Sequence, residues 1–258
     1  MPRRSRRLLL PALGLAVALL TGCSGSNGAA PRTPGDHVTA AEATVLAGLL
    51  HGNFQSGGAD FEETAPYAEG SVLKLTGSVD FVRSVGRARA TTTYRNGQPP
   101  DSRTIFFTTK DIWFGDVPNL SQQLTAAGLP AATYVRRPLA PVAVNGQGQL
   151  IDVLAQLVLN LSARSSDDPQ SFEKGNYTWQ GSHSINGRPA SVYSLAGGAR
   201  VAVGADKQLL QYVTPLPDQT FQVTMTLPQH GRRSIDLPGD TQTVSATDHP
   251  DIAAKVGV

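Results

Sequence analysis

Between residues 73 and 227 the chain keeps returning to a period of two. Leu73, Leu75, Val79 and Phe81 alternate with Lys74, Thr76, Ser78 and Asp80. Over 86–95, Ala88, Ala90, Thr92 and Tyr94 alternate with arginines and threonines, and Ser102 to Thr109 continues extended. The pattern resumes after 175. Tyr177, Trp179, Gly181, His183 and Ile185 share one face, then come Ser191 to Leu195, 199–203 with 208–213, and finally Phe221, Val223, Met225 and Leu227. Side chains of a strand point alternately to its two sides, so each run predicts a strand with one buried and one wet face. Asn96-Gly97 and Asn186-Gly187 supply residues that tolerate positive φ in turns, although Pro99-Pro100 lengthens the first loop. With a short strand at Asp111 to Phe114, about eight strands follow one another in mostly antiparallel succession.

A sheet with one apolar face has to cover it. Three segments have helical spacing. The first spans about 40–52, opened by Thr39-Ala40-Ala41-Glu42, which fits a capping box. The second is short, Leu120 to Ala127. The third, Gln149 to Arg164, is apolar over most of its circumference, leaving a narrow polar stripe at Asp152, Gln156 and Asn160. Such a helix is buried on more than one side. The expectation is an α+β fold: a curved antiparallel sheet, or unclosed barrel, wrapped around two or three helices. Residues 55–70 read as loop, Tyr134 to Val144 as irregular because of Pro138 and Pro141, and the end from Asp248 as frayed.

The N-terminus reads as an export leader. Arg3, Arg4, Arg6 and Arg7 precede the apolar run Leu8 to Leu20, and Leu20-Thr21-Gly22-Cys23 has the form of a lipobox. The apolar run is about 13 residues long and broken by Pro11 and Gly14, too short to span a bilayer. A lipobox cysteine becomes the first mature residue and takes a diacylglyceryl group, and two acyl chains anchor stably where one does not. Residues 1–22 are thus expected as the signal peptide. Residues 23–37, rich in Gly, Ser and Pro, are expected as a flexible tether from acylated Cys23, with a single domain over 38–247. The expected location is the extracytoplasmic face of the cell membrane, held there by the lipid anchor. Ser5-Arg6-Arg7-Leu8 is compatible with twin-arginine export as well as with the general route.

Loss of the leader changes the charge. The whole chain has 22 basic and 20 acidic side chains, formally +2; without the four leader arginines it has 18 against 20, formally −2. No basic patch remains to suggest nucleic acid. Cys23 is the only cysteine, so no disulfide staples the domain and its core must hold it alone.

Catalytic motifs are missing: there is no His-Glu-x-x-His, no Gly-x-Ser-x-Gly and no phosphate-cradling glycine loop. His37, His51, His183, His230 and His249 are not at metal-ligand spacing, and Asp167-Asp168 before Pro169 reads as a solvated helix exit. The expectation is a non-enzyme with no metal and no cofactor. His183 is the one polar group on its strand's apolar face, and reads either as a core histidine satisfied by backbone or as a headgroup contact at a cavity mouth.

The order of elements resembles the LolA-like superfamily of bacterial lipid and lipoprotein carriers, within it the LppX/LprG group of actinobacterial lipoproteins. The segment that most resembles the group is Phe221 to Leu227, followed by Pro228-Gln229-His230-Gly231 and Ser234-Ile235-Asp236-Leu237-Pro238. His230 departs from the acidic or aromatic residue commoner there, and the loop at 96–102 is longer. The resemblance implies an apolar cavity between sheet and helices that takes acyl chains of lipids or lipoglycans. Its candidate walls are Leu150, Leu154, Leu157 and Leu161 on the helix and Leu73, Leu75, Val79, Phe81, Trp179, Val223 and Met225 on strands, with His183 at the mouth. Two readings stay open: a lipid-binding or lipid-transfer lipoprotein, and a non-catalytic envelope sensor or scaffold with a filled core that binds a protein partner.

Overall fold

Alternation of apolar and polar side chains produces one large sheet. The computed structural model describes residues 32–67, 70–140, 149–216 and 221–258. The leader, Cys23 and residues 23–31 of the expected tether lie outside the described residues. In chain order the strands are β1 (Ala59–Tyr67), β2 (Ser71–Asp80), β3 (Val85–Thr93), β4 (Asp101–Thr108), β5 (Asp111–Phe114) and β6 (Tyr134–Pro138). They continue as β7 (Thr178–Ile185), β8 (Arg188–Ser194), β9 (Arg200–Gly204), β10 (Leu209–Pro215), β11 (Gln222–His230) and β12 (Thr243–Ser245). Their spatial order is β12-β6-β5-β4-β3-β2-β1-β11-β10-β9-β8-β7. Every pairing is antiparallel except β12 beside β6. β7 and β12 are the two edges, so the sheet curves without closing. This is the expected α+β architecture, with more strands than the sequence suggests.

The inner face carries Phe61, Leu75, Val79, Phe81, Ile105, Phe107, Ile112, Val223, Met225 and Leu227, all nearly or fully buried in one core. Helices cover it, α1 (Ala40–Ser56) and α3 (Leu150–Leu159) among them. α1 lies against β10, and α3 against β2 and β3. α1 starts where the sequence places it. The backbone N–H of Thr39 donates to Glu42 Oε2 at 2.8 Å, and the Glu42 N–H donates to Thr39 Oγ1 at 3.3 Å. It runs four residues beyond the expected end and stops at Gly57, whose φ of +82° suits glycine. Three more α-helices complete the described set: α2 (Leu120–Ala126) packs on α5 (Pro250–Val256), and α4 (Pro169–Lys174) on α1.

Several expectations are corrected. Residues 59–67, expected as loop, form β1 at the centre of the sheet. Residues 134–138, expected as irregular, form β6, which ends at Pro138, a residue that cannot donate to a ladder. The expected frayed end holds α5, opened by Pro250 and held by buried Ile252, Ala253 and Val256. The third expected helix stops at Leu159 instead of 164. The Ala163 N–H bonds to Leu50 O of α1 (3.1 Å) and the Asp167 N–H to Ala47 O (3.0 Å), so the chain leaves the helix to run along α1. The last residues of the expected tether are also pinned: Gly35 N–H donates to Trp179 O, and Trp179 N–H to Asp36 O, each at 2.8 Å.

The outer face is partly covered as well. Ile235 and Leu237, on the chain beyond β11, pack with Val85, Phe106 and Trp113 of β3, β4 and β5. Two arginines fasten this segment. Arg83 donates to Ile235 O (3.1 Å), and Arg233 Nε donates to Asp60 Oδ1 (2.8 Å), which holds the Asp60 carboxyl below its ordinary range.

Candidate functional site

The described residues line an open apolar cavity of about 290 Å³ where α1, α3 and the β9–β10 hairpin meet. Leu46, Leu49 and Leu50 line it from α1, Leu157 and Leu161 from α3 and its exit, and Val201, Leu209 and Tyr212 from the hairpin; Phe172 and Leu195 complete the wall. Asn160 and Asp167 also border it, and both are exposed, which marks the mouth. The volume is at the lower edge of the ~300–1,000 Å³ typical of ligand sites, room for one acyl segment and not for several chains side by side.

The helical wall is fixed by two polar anchors. Arg137 of β6 grips Asp152 in the first turn of α3 with two hydrogen bonds, Nη1 to Oδ2 at 2.7 Å and Nη2 to Oδ1 at 2.8 Å. The Asp152 carboxylate also accepts from Ala140 N–H at 2.8 Å, and the guanidinium stacks 5.0 Å from the Phe114 ring. Asp152, expected on a polar stripe, is therefore 1 % exposed and fully engaged. Buried pairs hold when geometry and extra hydrogen bonds repay desolvation; here the carboxylate is satisfied, while Arg137 Nε has no partner among the described residues. The second anchor is Asn53 of α1, also 1 % exposed. Its Nδ2 donates to Leu161 O at 2.7 Å, so its Oδ1 is left to accept from His230 Nε2 at 3.1 Å. Burial pushes the His230 pKa down and so favours the neutral ring. One buried amide thus ties α1, β11 and the exit of α3 beside the cavity.

The sequence-predicted wall residues separate into three groups. Leu157 and Leu161 line the cavity. Leu73, Leu75, Val79, Phe81, Leu154, Val223 and Met225 are buried in packed core and do not border it, while Leu150 and Trp179 are half-buried against that core. His183 is exposed and lines a groove on the outer face with Ile185 and Val192. The cause is a β-bulge between Trp179 and Gly181. One extra residue reverses the alternation, so Trp179 stays with the inner core while Ile185 packs with Ala190, Ala202 and Leu210 on the outer side. His183 therefore stands neither in the core nor at this cavity's mouth, and its Nε2 lies 3.3 Å from Gln180 O.

Sequence reading missed the β9–β10 contribution. Its signal is modest: Val201 and Leu209 on facing strands, each smaller than the aromatics used on β1, β4 and β5. Among the described residues no group of three or more His, Cys, Asp or Glu side chains stands close enough to hold a metal, and no helix is long and apolar enough to cross a membrane.

No family model and no curated protein matches the chain. Among solved structures it is similar to LprF from Mycobacterium bovis, at 14% identity and a TM-score of 0.44 over 81% of this chain and 99% of that one. It is also similar to an uncharacterized conserved protein from Thermus thermophilus, at 12% identity and a TM-score of 0.37 over 80% and 99%. Overlaps this shallow carry no inference about ligand or activity.

Proposed function

We propose that this chain is a membrane-anchored extracytoplasmic lipoprotein that binds an acyl chain of a lipid in the cavity between α1, α3 and β9–β10. The observation that carries the reading is the cavity itself: apolar on all its walls except Tyr212 and the two exposed polar residues at its mouth. Apolar walls of this extent face water when no ligand is bound, and an acyl segment that displaces it gains about 0.8 kcal/mol per buried methylene. The lipobox supports the location. A carrier tethered through Cys23 stands next to the membrane from which its ligand would come. The chain lacks the hydrolase, metalloprotease and phosphate-binding motifs named above, and the reading assigns it binding or transfer rather than turnover.

A second reading, an envelope sensor or scaffold, is favoured by one observation. Most of the inner face is filled, and the cavity takes up only the β9–β10 side. Organic extraction of the protein purified from its native membrane, followed by mass spectrometry, separates the two. A stoichiometric acyl lipid supports the carrier; a protein free of lipid and still fully folded supports the scaffold.

A further inference from the structure

Glu63 is unexplained by the packing around it. Its side chain is 0 % exposed, on the inner face of β1, and neither carboxylate oxygen has a hydrogen-bond partner among the described residues. Burial pushes its pKa well above the ordinary carboxylate range and so favours the protonated form, which can both donate and accept. An apolar side chain in its place would fill the site without the cost of an unmade hydrogen bond.

Its place in the sheet suggests what it meets. Directly paired residues of antiparallel strands point to the same side. The pairings Val201–Tyr212, Tyr212–Met225, Met225–Glu63 and Glu63–Leu75 therefore set one row of inward side chains across β9, β10, β11, β1 and β2. Val201 and Tyr212 line the cavity. Glu63 is two strands from Tyr212, about 10 Å at the usual strand spacing, and only Met225 stands between them in the row. Methionine is unbranched and rotates about three side-chain bonds, which makes it the residue type most able to move aside in a core.

Resting on the acyl-chain reading above, we propose that Glu63 is the polar end of the ligand chamber. When Met225 gives way, it hydrogen-bonds a hydroxyl carried on the far part of the bound chain. The ligand class is then an amphiphile with an oxygenated chain, not a plain hydrocarbon tail. A hydroxyl fits a neutral carboxyl because each partner donates once and accepts once.

The test uses the full chain carrying Cys23→Ala, so that no acyl anchor calls for detergent, and titrates it with 1-decanol and 1,10-decanediol by calorimetry. The expected result is a preference for the diol that falls about tenfold in Glu63→Leu. Glu63→Gln, which keeps a donor and an acceptor, retains the preference, and Glu63→Leu melts no lower than its parent. If both alcohols bind with the same ratio in parent and Glu63→Leu, Glu63 is not a ligand contact and the acyl-chain reading stands without it. If neither alcohol binds the parent, the acyl-chain reading fails and this inference falls with it.

Discussion

The two halves of the sheet solve the same problem differently. On the side of β1 to β5, the inner face carries Phe61, Phe81, Ile105, Phe107, Ile112 and Phe114, in one buried cluster with Leu154, Ala155 and Val158 of α3. On the side of β8 to β10, the inner residues are Tyr193, Val201, Val203, Leu209 and Tyr212, and a void remains under α1. Tyr193 is buried and turns its hydroxyl to Glu42 Oε1 at 3.0 Å, and Tyr212, partly buried, lines the cavity. One sheet, one pattern of alternation and similar helices give a packed core at one end and a chamber at the other, because side-chain volume rather than polarity decides which.

The filled half should be costly to erode. Phe107→Ala removes a fully buried ring and is expected to cost about 3–5 kcal/mol in urea unfolding. Leu49→Ala removes a side chain that already faces the void and is expected to cost about 2 kcal/mol or less, the low end for such changes. Equal losses at the two sites would mean that the halves are packed alike. Arg137→Met tests the anchor of α3. It strands the buried Asp152 carboxylate and is expected to cost about 3–5 kcal/mol, a loss that Asp152→Leu combined with Arg137→Met largely restores.

Glu63 adds a pH signature near the boundary between the halves. Its folded pKa lies above the ordinary value of 4.5. Above that pH the unfolded chain releases the proton while the folded protein keeps it, so stability falls as pH rises, by up to about 1.4 kcal/mol per pH unit until the folded group ionises. Glu63→Gln should abolish this part of the slope. The His230 effect is smaller and of opposite sense. Its folded pKa is held below the ordinary 6.5 by burial, so its contribution is present above pH 6.5 and is lost as pH falls. A comparison with His230→Gln between pH 7 and pH 5 isolates it.

How legible all this is in the sequence varies by element. The strands from β2 to β4 and from β8 to β11 follow from their alternation, and α1 from its capping box. β1 is hidden by the residue that makes it interesting. Ala59, Phe61, Glu63 and Ala65 occupy the inner face, but a glutamate at an inward position breaks the apolar pattern that announces a strand. A local rule broken at the centre of a fold is where function is expected to sit. The bulge that turns His183 outward leaves no mark except Gly181, whose φ of +107° few other residues adopt. The cavity is legible only in part. Leu157 and Leu161 follow from the over-apolar helix, but a void depends on how volumes from α1, α3 and β9–β10 fail to meet, and no local pattern records that.

The most direct test of the chamber is Leu157→Trp, followed by both 1-decanol binding and thermal melting. If the space beside Leu157 is an acyl site, the indole occupies it. Decanol affinity then drops at least about tenfold while the melting temperature stays within about 2 °C of the parent. If that space is core in solution, the larger ring overpacks it. A fall of about 4 °C or more, in a protein whose parent binds no decanol, would contradict the account.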